Sequence, residues 1–268
     1  MSNDGNWIKS ALARKETVVG LMVSELKTPM LGAILDAAGM HFAILDQEHG
    51  AYGPDTLAAM VAGFGGTRCR PVVRIPEIRR EYFLTPLELG VSGILVPRVE
   101  SREQAEAVVR YGRYAPLGDR GVSLRRAHTG FRRVERDAYT AKANDEVLLM
   151  VQIETRPALD RLDEILSTPG IDMAFIGPSD LSMSCGVEGS LRAPALREIV
   201  DRIVEASVRN GVAVGIHTYD MAVAAELVAA GLHFVSCNTD VNALMKNLES
   251  GAEALRSAIA GAKAARRD

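Results

Sequence analysis

Eight short runs rich in Val, Ile, Leu and Phe recur along this chain, each separated from the next by a segment with helical punctuation. They are Val18 to Ser24, Phe42 to Glu48, Pro71 to Ile75, Gly93 to Val99, Val147 to Glu154, Met173 to Ile176, Val212 to His217 and Phe234 to Asn238. Thr28-Pro29 opens one intervening helix and Gly39 closes it, while Ser101-x-x-Gln104 forms a capping box ahead of Ala105 to Tyr111. Strand and helix in strict alternation imply a parallel sheet, because parallel neighbours need a crossover connection. Eight such units close most economically into a (β/α)8 barrel, whereas a doubly wound open sheet more often uses about five or six strands. The expected fold is α/β, a TIM barrel in which residues 1–268 form one domain.

The two ends read as additions to that barrel. Residues 1–16 lack the unbroken apolar core of a signal peptide and are expected to form an N-terminal capping helix. Residues 242–268 form a long helical pattern rich in Ala, Leu, Lys and Arg, with Gly251 and Gly261 as weak points. This C-terminal helix is expected to close the barrel or to dock at a subunit interface. The stretch between Val99 and Val147 is too long for one helix, so it should carry an extra loop and helix.

Asp and Glu outnumber Lys and Arg, and a formal charge of -3 provides no broad field for nucleic acid or an anionic membrane surface. Cys69, Cys185 and Cys237 show no C-x-x-C spacing and no nearby histidine cluster, so neither a disulfide framework nor a structural zinc site is suggested, and a reducing cytoplasm fits. No apolar run reaches the roughly 18 residues of a membrane span.

In a barrel the chemistry gathers where strands end at the C-terminal rim. The second run ends Leu45-Asp46-Gln47-Glu48-His49, with Asp46 and Glu48 on one face and Gln47 on the other. A neutral imidazole can take a proton and a carboxylate can steady the charged ring, so His49 with Asp46 reads as a base dyad. A loop histidine bonded to backbone is the alternative. The third run ends in Arg74, a fork for a carboxylate or an enolate oxygen, or else a structural partner of Asp46 or Glu48, and the two roles can coexist.

Gln152 and Glu154 share a face at the end of the fifth run, and Asp180 follows the sixth. Two hard carboxylates at neighbouring strand ends suit Mg2+ or Mn2+, against the simpler alternatives of helix caps or salt bridges. Gly177 to Ser182 also resembles a strand-to-helix turn whose N–H groups face an anion. Gly118 to Ser123 reads as a glycine turn with a solvated Arg120, or as a further anion site above the barrel. His217 lies on the correct rim to touch substrate or to act as a core histidine, and His41, His128 and His233 read as structural.

Taken in order, LDQEHG, PVVRIP, GILVPRVES, APLGDRGVS, MVQIET and FIGPSDLS resemble the HpcH/HpaI family of class II pyruvate aldolases, over about residues 15 to 255. That resemblance implies a barrel of the phosphoenolpyruvate/pyruvate type and a divalent cation, Mg2+ or Mn2+ ahead of Co2+, Ni2+ or Zn2+. It implies reversible cleavage of a 4-hydroxy-2-keto acid to pyruvate, or an analogue such as hydroxypyruvate, and an aldehyde, in a trimer or hexamer. By motif, Glu154 and Asp180 correspond to the metal ligands, Arg74 to the residue that steadies the enolate, and His49 with Asp46 to the base. Gln152 corresponds to a substrate contact, the Ser179 N–H meets the pyruvate carboxylate, and Glu88 falls where relatives commonly have Asp. Gln47 departs from the glycine of D-G-E-H.

Two other functions fit the same pattern: an acyl-CoA lyase of a related barrel family, and a non-catalytic barrel that binds a keto acid. The first calls for a strong basic patch, which the sequence does not make evident. Imine chemistry needs a lysine at a strand end. Of Lys9, Lys15, Lys27, Lys142, Lys246 and Lys263, only Lys27 approaches one.

Overall fold

The computed structural model describes residues 6–264. Eight strands, β1 (Val18–Val23), β2 (Phe42–Asp46), β3 (Arg70–Arg74), β4 (Gly93–Val96), β5 (Leu148–Ile153), β6 (Met173–Ile176), β7 (Ala213–Thr218) and β8 (Phe234–Thr239), follow one another round a closed barrel. Every neighbouring pair is parallel, including the β1 to β8 closure. Two runs leave the sheet earlier than their composition suggests. Asp46 ends β2 because its Oδ1 accepts the N–H groups of Glu48 at 3.0 Å and His49 at 3.4 Å, turning the chain. Past Val96, Pro97 has no N–H to donate and Arg98 adopts a left-handed φ of 52°, which breaks the ladder.

Period-two alternation separates two cores. Phe42, Ile44, Val72, Leu95, Leu148, Met150, Met173, Phe175 and Phe234 fill the barrel interior, while Ala43, Leu45, Val73, Ile94, Val151 and Ile176 face the surrounding helices. Each large apolar side chain buried in this way contributes about 1.5–3 kcal/mol. Phe42 and Phe234 stack with centroids 3.8 Å apart.

The helices are α1 (Trp7–Ala13), α2 (Leu31–Ala37), α3 (Pro54–Ala62), α4 (Arg80–Leu89), α5 (Arg102–Gly112), α6 (Arg136–Glu146), α7 (Arg156–Asp160), α8 (Leu162–Leu166), α9 (Pro178–Cys185), α10 (Pro194–Asn210), α11 (Met221–Ala229) and α12 (Asp240–Ala264). Ile8 and Ala11 of α1 join the interior core, so α1 plugs the N-terminal end of the barrel; residues 1–5 of the expected capping segment lie outside the described residues. Asn6 Nδ2 locks it there by donating to the carbonyls of Ser92 and Glu146, each at 2.8 Å. The capping box forms at α5, where Ser101 Oγ accepts the Gln104 N–H at 3.3 Å. Among the described residues no helix is long and apolar enough to cross a membrane.

The long stretch after β4 carries the expected extra loop and helix, namely residues 113–135 with one 3-10 turn, then α6. It lies at the N-terminal end of the barrel rather than above it, since α6 leads into the start of β5. Arg120 is 5% exposed there, so it is buried rather than solvated. Beyond its first turn α12 leaves the barrel, with Leu244, Met245, Leu248, Leu255 and Ile259 all exposed. It therefore does not close the barrel, and residues 265–268 lie outside the described residues.

Candidate active site

At the C-terminal rim the inward-facing columns turn from apolar to polar. Ile44 gives way to Asp46, Val72 to Arg74 and Met150 to Gln152. All three polar side chains are buried. The β2–β3 register sets Asp46 directly against Arg74. Arg74 grips it with Nε to Oδ1 at 2.8 Å and Nη2 to Oδ2 at 2.6 Å, while Nη1 lies 3.1 Å from Glu48 Oε2. Burial by itself lowers the Arg74 pKa, but the Asp46 bonds and the charges of Glu48 and Glu154 outweigh it and raise the net value.

Glu154 is buried one residue beyond β5. Its Oε1 accepts the Arg98 N–H at 2.8 Å, which the left-handed conformation of Arg98 accompanies, and its Oε2 accepts from Gln152 Nε2. Burial pushes its pKa up to about 7; the Arg98 bond opposes this, Glu48 and Asp180 add to it, and Arg74 offsets part. Gln152 Oε1 is buried without a partner. Asp180 stands exposed in the first turn of α9, next to exposed Ser179.

Gly177 makes this arrangement possible. A Cβ there would sit 2.8 Å from both Gln152 Nε2 and Glu154 Oε2. We expect Gly177→Ala to cost about 1–3 kcal/mol through overpacking and to weaken cation binding. Thermal melts and Mn2+ calorimetry test this, and a variant that matched the parent in both would refute it.

These side chains fit a hard divalent cation. Ionised Glu154, with Glu48 and Asp180 nearby, is a concentration of negative charge that burial penalises, and unpartnered Gln152 Oε1 adds a neutral oxygen beside it. Among the described residues no three His, Cys, Asp or Glu side chains form a ready-made metal cluster. Glu154 and Asp180, the ligands expected from the family motif, would give the cation two protein carboxylates, a number that suits Mg2+, which keeps water or substrate in its other positions.

Other expected residues fall differently. His49 keeps its side chain 67% exposed, and its Nε2 is 4.0 Å from Glu48 Oε2. The expected side-chain pair with Asp46 does not form, because Arg74 occupies both Asp46 oxygens, and Asp46 reaches His49 only through the backbone N–H. Glu88 sits in the last turn of α4, at the opposite end of the barrel from Glu154, with Oε2 3.9 Å from Arg126. Within one chain it does not join the site, because α4 runs back toward the start of β4.

His217 does face the mouth. Its Nδ1 is 2.9 Å from Ser236 Oγ, and burial, reinforced by Arg74 and opposed by Asp46, pushes its pKa down to about 4. The Arg98 N–H and the space at Gly177 escaped sequence reading. A proline within the fourth run and a glycine two residues after an inward phenylalanine were the available signals.

The family model described as HpcH/HpaI aldolase/citrate lyase matches residues 21–247. The chain belongs to this family. A 2-keto-3-deoxy-L-rhamnonate aldolase of Klebsiella pneumoniae subsp. pneumoniae is 36% identical over 238 residues, 88% of this chain and 87% of that one. An aldolase of the same name from Salmonella typhi is 33% identical over 91% of each chain. The crystal structure of an HpcH/HpaI aldolase from Desulfitobacterium hafniense DCB-2 superposes with a TM-score of 0.89 at 31% identity, covering 93% of this chain and 96% of that one. As a member of the HpcH/HpaI family, this chain is a class II pyruvate aldolase, a carbon–carbon lyase of a divalent-metal-dependent kind.

Proposed function

We propose that the barrel mouth reversibly cleaves a 2-keto-3-deoxy sugar acid, one kind of 4-hydroxy-2-keto acid, to pyruvate and an aldehyde, with Glu154 and Asp180 holding Mg2+ or Mn2+. The observation that carries this reading is Glu154 itself, buried beside Gln152 with Arg74, Glu48 and Asp180 in electrostatic reach. The relatives named for 2-keto-3-deoxy-L-rhamnonate support the substrate class. When bound, the cation supplies Lewis acidity toward the substrate's carboxylate and 2-keto oxygens.

The chain's own groups divide the remaining work. Asp46 locks the Arg74 guanidinium, so its positive charge is fixed where negative charge grows on the enolate oxygen, with no reorganisation at the moment of reaction. Gln152 holds Glu154 through Nε2 and turns its amide toward the substrate. The Ser179 N–H, in the first turn of α9, receives the substrate carboxylate. His49 removes the C4 hydroxyl proton through a water, and Glu48 steadies the imidazolium. Asp46 then acts on His49 only by holding the turn that presents it.

His49→Ala is expected to lower kcat by about 100- to 10,000-fold while Mn2+ affinity holds. A pyruvate-release assay beside calorimetry tests it, and unchanged release would remove His49 as base, whereas cation and keto-acid binding with no release by the parent would favour a keto-acid-binding barrel. A panel of 2-keto-3-deoxy acids assayed with several cations tests the substrate class. Failure to cleave any of them would overturn it.

The apolar residues left exposed along α12 support a trimer or hexamer built on this helix. Light scattering of the full chain should give a mass of three or six copies, and a stable monomer would refute the assembly. Three free thiols accord with a cytoplasmic protein.

A further inference from the structure

We propose that a second site, beneath the floor of the barrel and away from the mouth, binds a phosphate group. A cavity of about 550 Å³ opens there, within the size range of small-molecule sites. Ser92 and Val147, which precede β4 and β5, line it together with Asn6 of the barrel floor. Glu154 follows the other end of β5, about 20 Å away at roughly 3.3 Å per strand residue.

Arg120 is the reason to assign an anion. It lines the cavity, is 5% exposed, and lies with its guanidinium 4.4 Å from the centre of the Tyr114 ring. Its Nε and Nη2 are buried with no hydrogen-bond partner. Arg113, in the same loop, offers the contrast: its Nη1 and Nη2 reach the carbonyls of Asn144, Val147 and Gly170 and the carboxylate of Asp172. Burial lowers the Arg120 pKa; the Glu88 charge opposes this from a distance without forming an ion pair, and a buried cation so weakly compensated is costly. Arg132, Arg133 and Lys142 also line the cavity. The acid in its lining is Glu146, which Lys142 approaches at 3.5 Å.

His128 narrows the choice of anion. Its Nδ1 lies 3.1 Å from the Glu88 carbonyl, which can only accept, so Nδ1 carries the proton. Nε2, also buried and unpartnered, then presents a lone pair to the cavity. A protonated phosphate offers both anionic oxygens for Arg120 and an O–H for His128. An ionised carboxylate has no O–H to give.

The test is calorimetry of the full chain with inorganic phosphate, glycerol 3-phosphate and malonate at constant ionic strength. Expected is one phosphate per chain, bound more tightly than malonate. Binding should weaken about tenfold in Arg120→Gln and also weaken in the surface double variant Arg132→Gln/Arg133→Gln, with pyruvate release by the double variant unchanged. Arg74→Ala should still bind phosphate, which separates this site from the mouth. Glycerol 3-phosphate binding without inorganic phosphate binding would support the site and identify a phosphomonoester as its source. No saturable binding, malonate binding as tight as phosphate, or loss in Arg74→Ala alone would overturn the proposal. If Arg120→Gln fails to fold, the double variant and His128→Gln decide it, and unaltered phosphate affinity in both would overturn it.

Discussion

Glu154→Ala is expected to abolish measurable divalent-cation binding and to lower aldol cleavage by about 1000-fold, the equivalent of several kcal/mol of lost charge stabilisation. Asp180 alone, exposed in the first turn of α9, leaves a cation with one protein carboxylate. Calorimetry with Mg2+ or Mn2+ and a pyruvate-release assay check the two losses, and full cation affinity would refute the ligand assignment. The same carboxylate sets a pH dependence. Its pKa rises from 4.5 to about 7 in the folded chain, so between those values the fold retains a proton that the unfolded chain has released. Its stabilising contribution is complete below 4.5 and is lost as pH rises through about 7. Without a divalent cation, melting temperature should carry a falling component across that window. Cation affinity should climb over the same range, because binding needs the ionised form. Glu154→Gln should remove both slopes, and equal slopes in the parent and this variant would overturn the account.

Asp46→Ala is expected to be among the most damaging single changes to stability, at about 3–5 kcal/mol, because it leaves the Arg74 guanidinium buried without its principal counter-ion. It also removes the acceptor for the N–H groups of Glu48 and His49, loosening the turn that carries the base. Activity should fall by about 100- to 1000-fold, since a mobile guanidinium no longer sits prepared for the enolate charge. Denaturant unfolding measures the first effect and steady-state kinetics the second. The double variant Asp46→Ala/Arg74→Leu should regain part of the stability and none of the activity, because removing both charges ends the desolvation penalty. Additive stability losses would argue against a coupled pair.

Much of the barrel was legible because it rests on local periodicity. Each inward column of β2, β3 and β5 writes its own alternation, and Asp46, Arg74 and Gln152 fall in those columns by simple counting. Partner choice was less legible. The sequence left two partners open for Asp46, His49 three residues away and Arg74 twenty-eight away, and sequence distance favours the histidine. The register between β2 and β3 sets Arg74 opposite Asp46 instead, and a bidentate ion pair in a buried site outcompetes a long reach to an exposed imidazole.

The amino-acid order alone determined the strand and helix alternation, the ring of polar residues at the strand ends and the pairing of Gln152 with Glu154, since these depend on residues close in sequence and on fixed backbone periods. Only the tertiary structure decided that Arg74 belongs to Asp46, that Glu88 lies at the far end of the barrel, and that Arg120 is a buried cation facing a cavity rather than a solvated loop residue. Those outcomes depend on which end of the barrel each connection occupies and on what surrounds a side chain once the ring closes. Burial and long-range electrostatics arise from that closure, and no local stretch of sequence carries them.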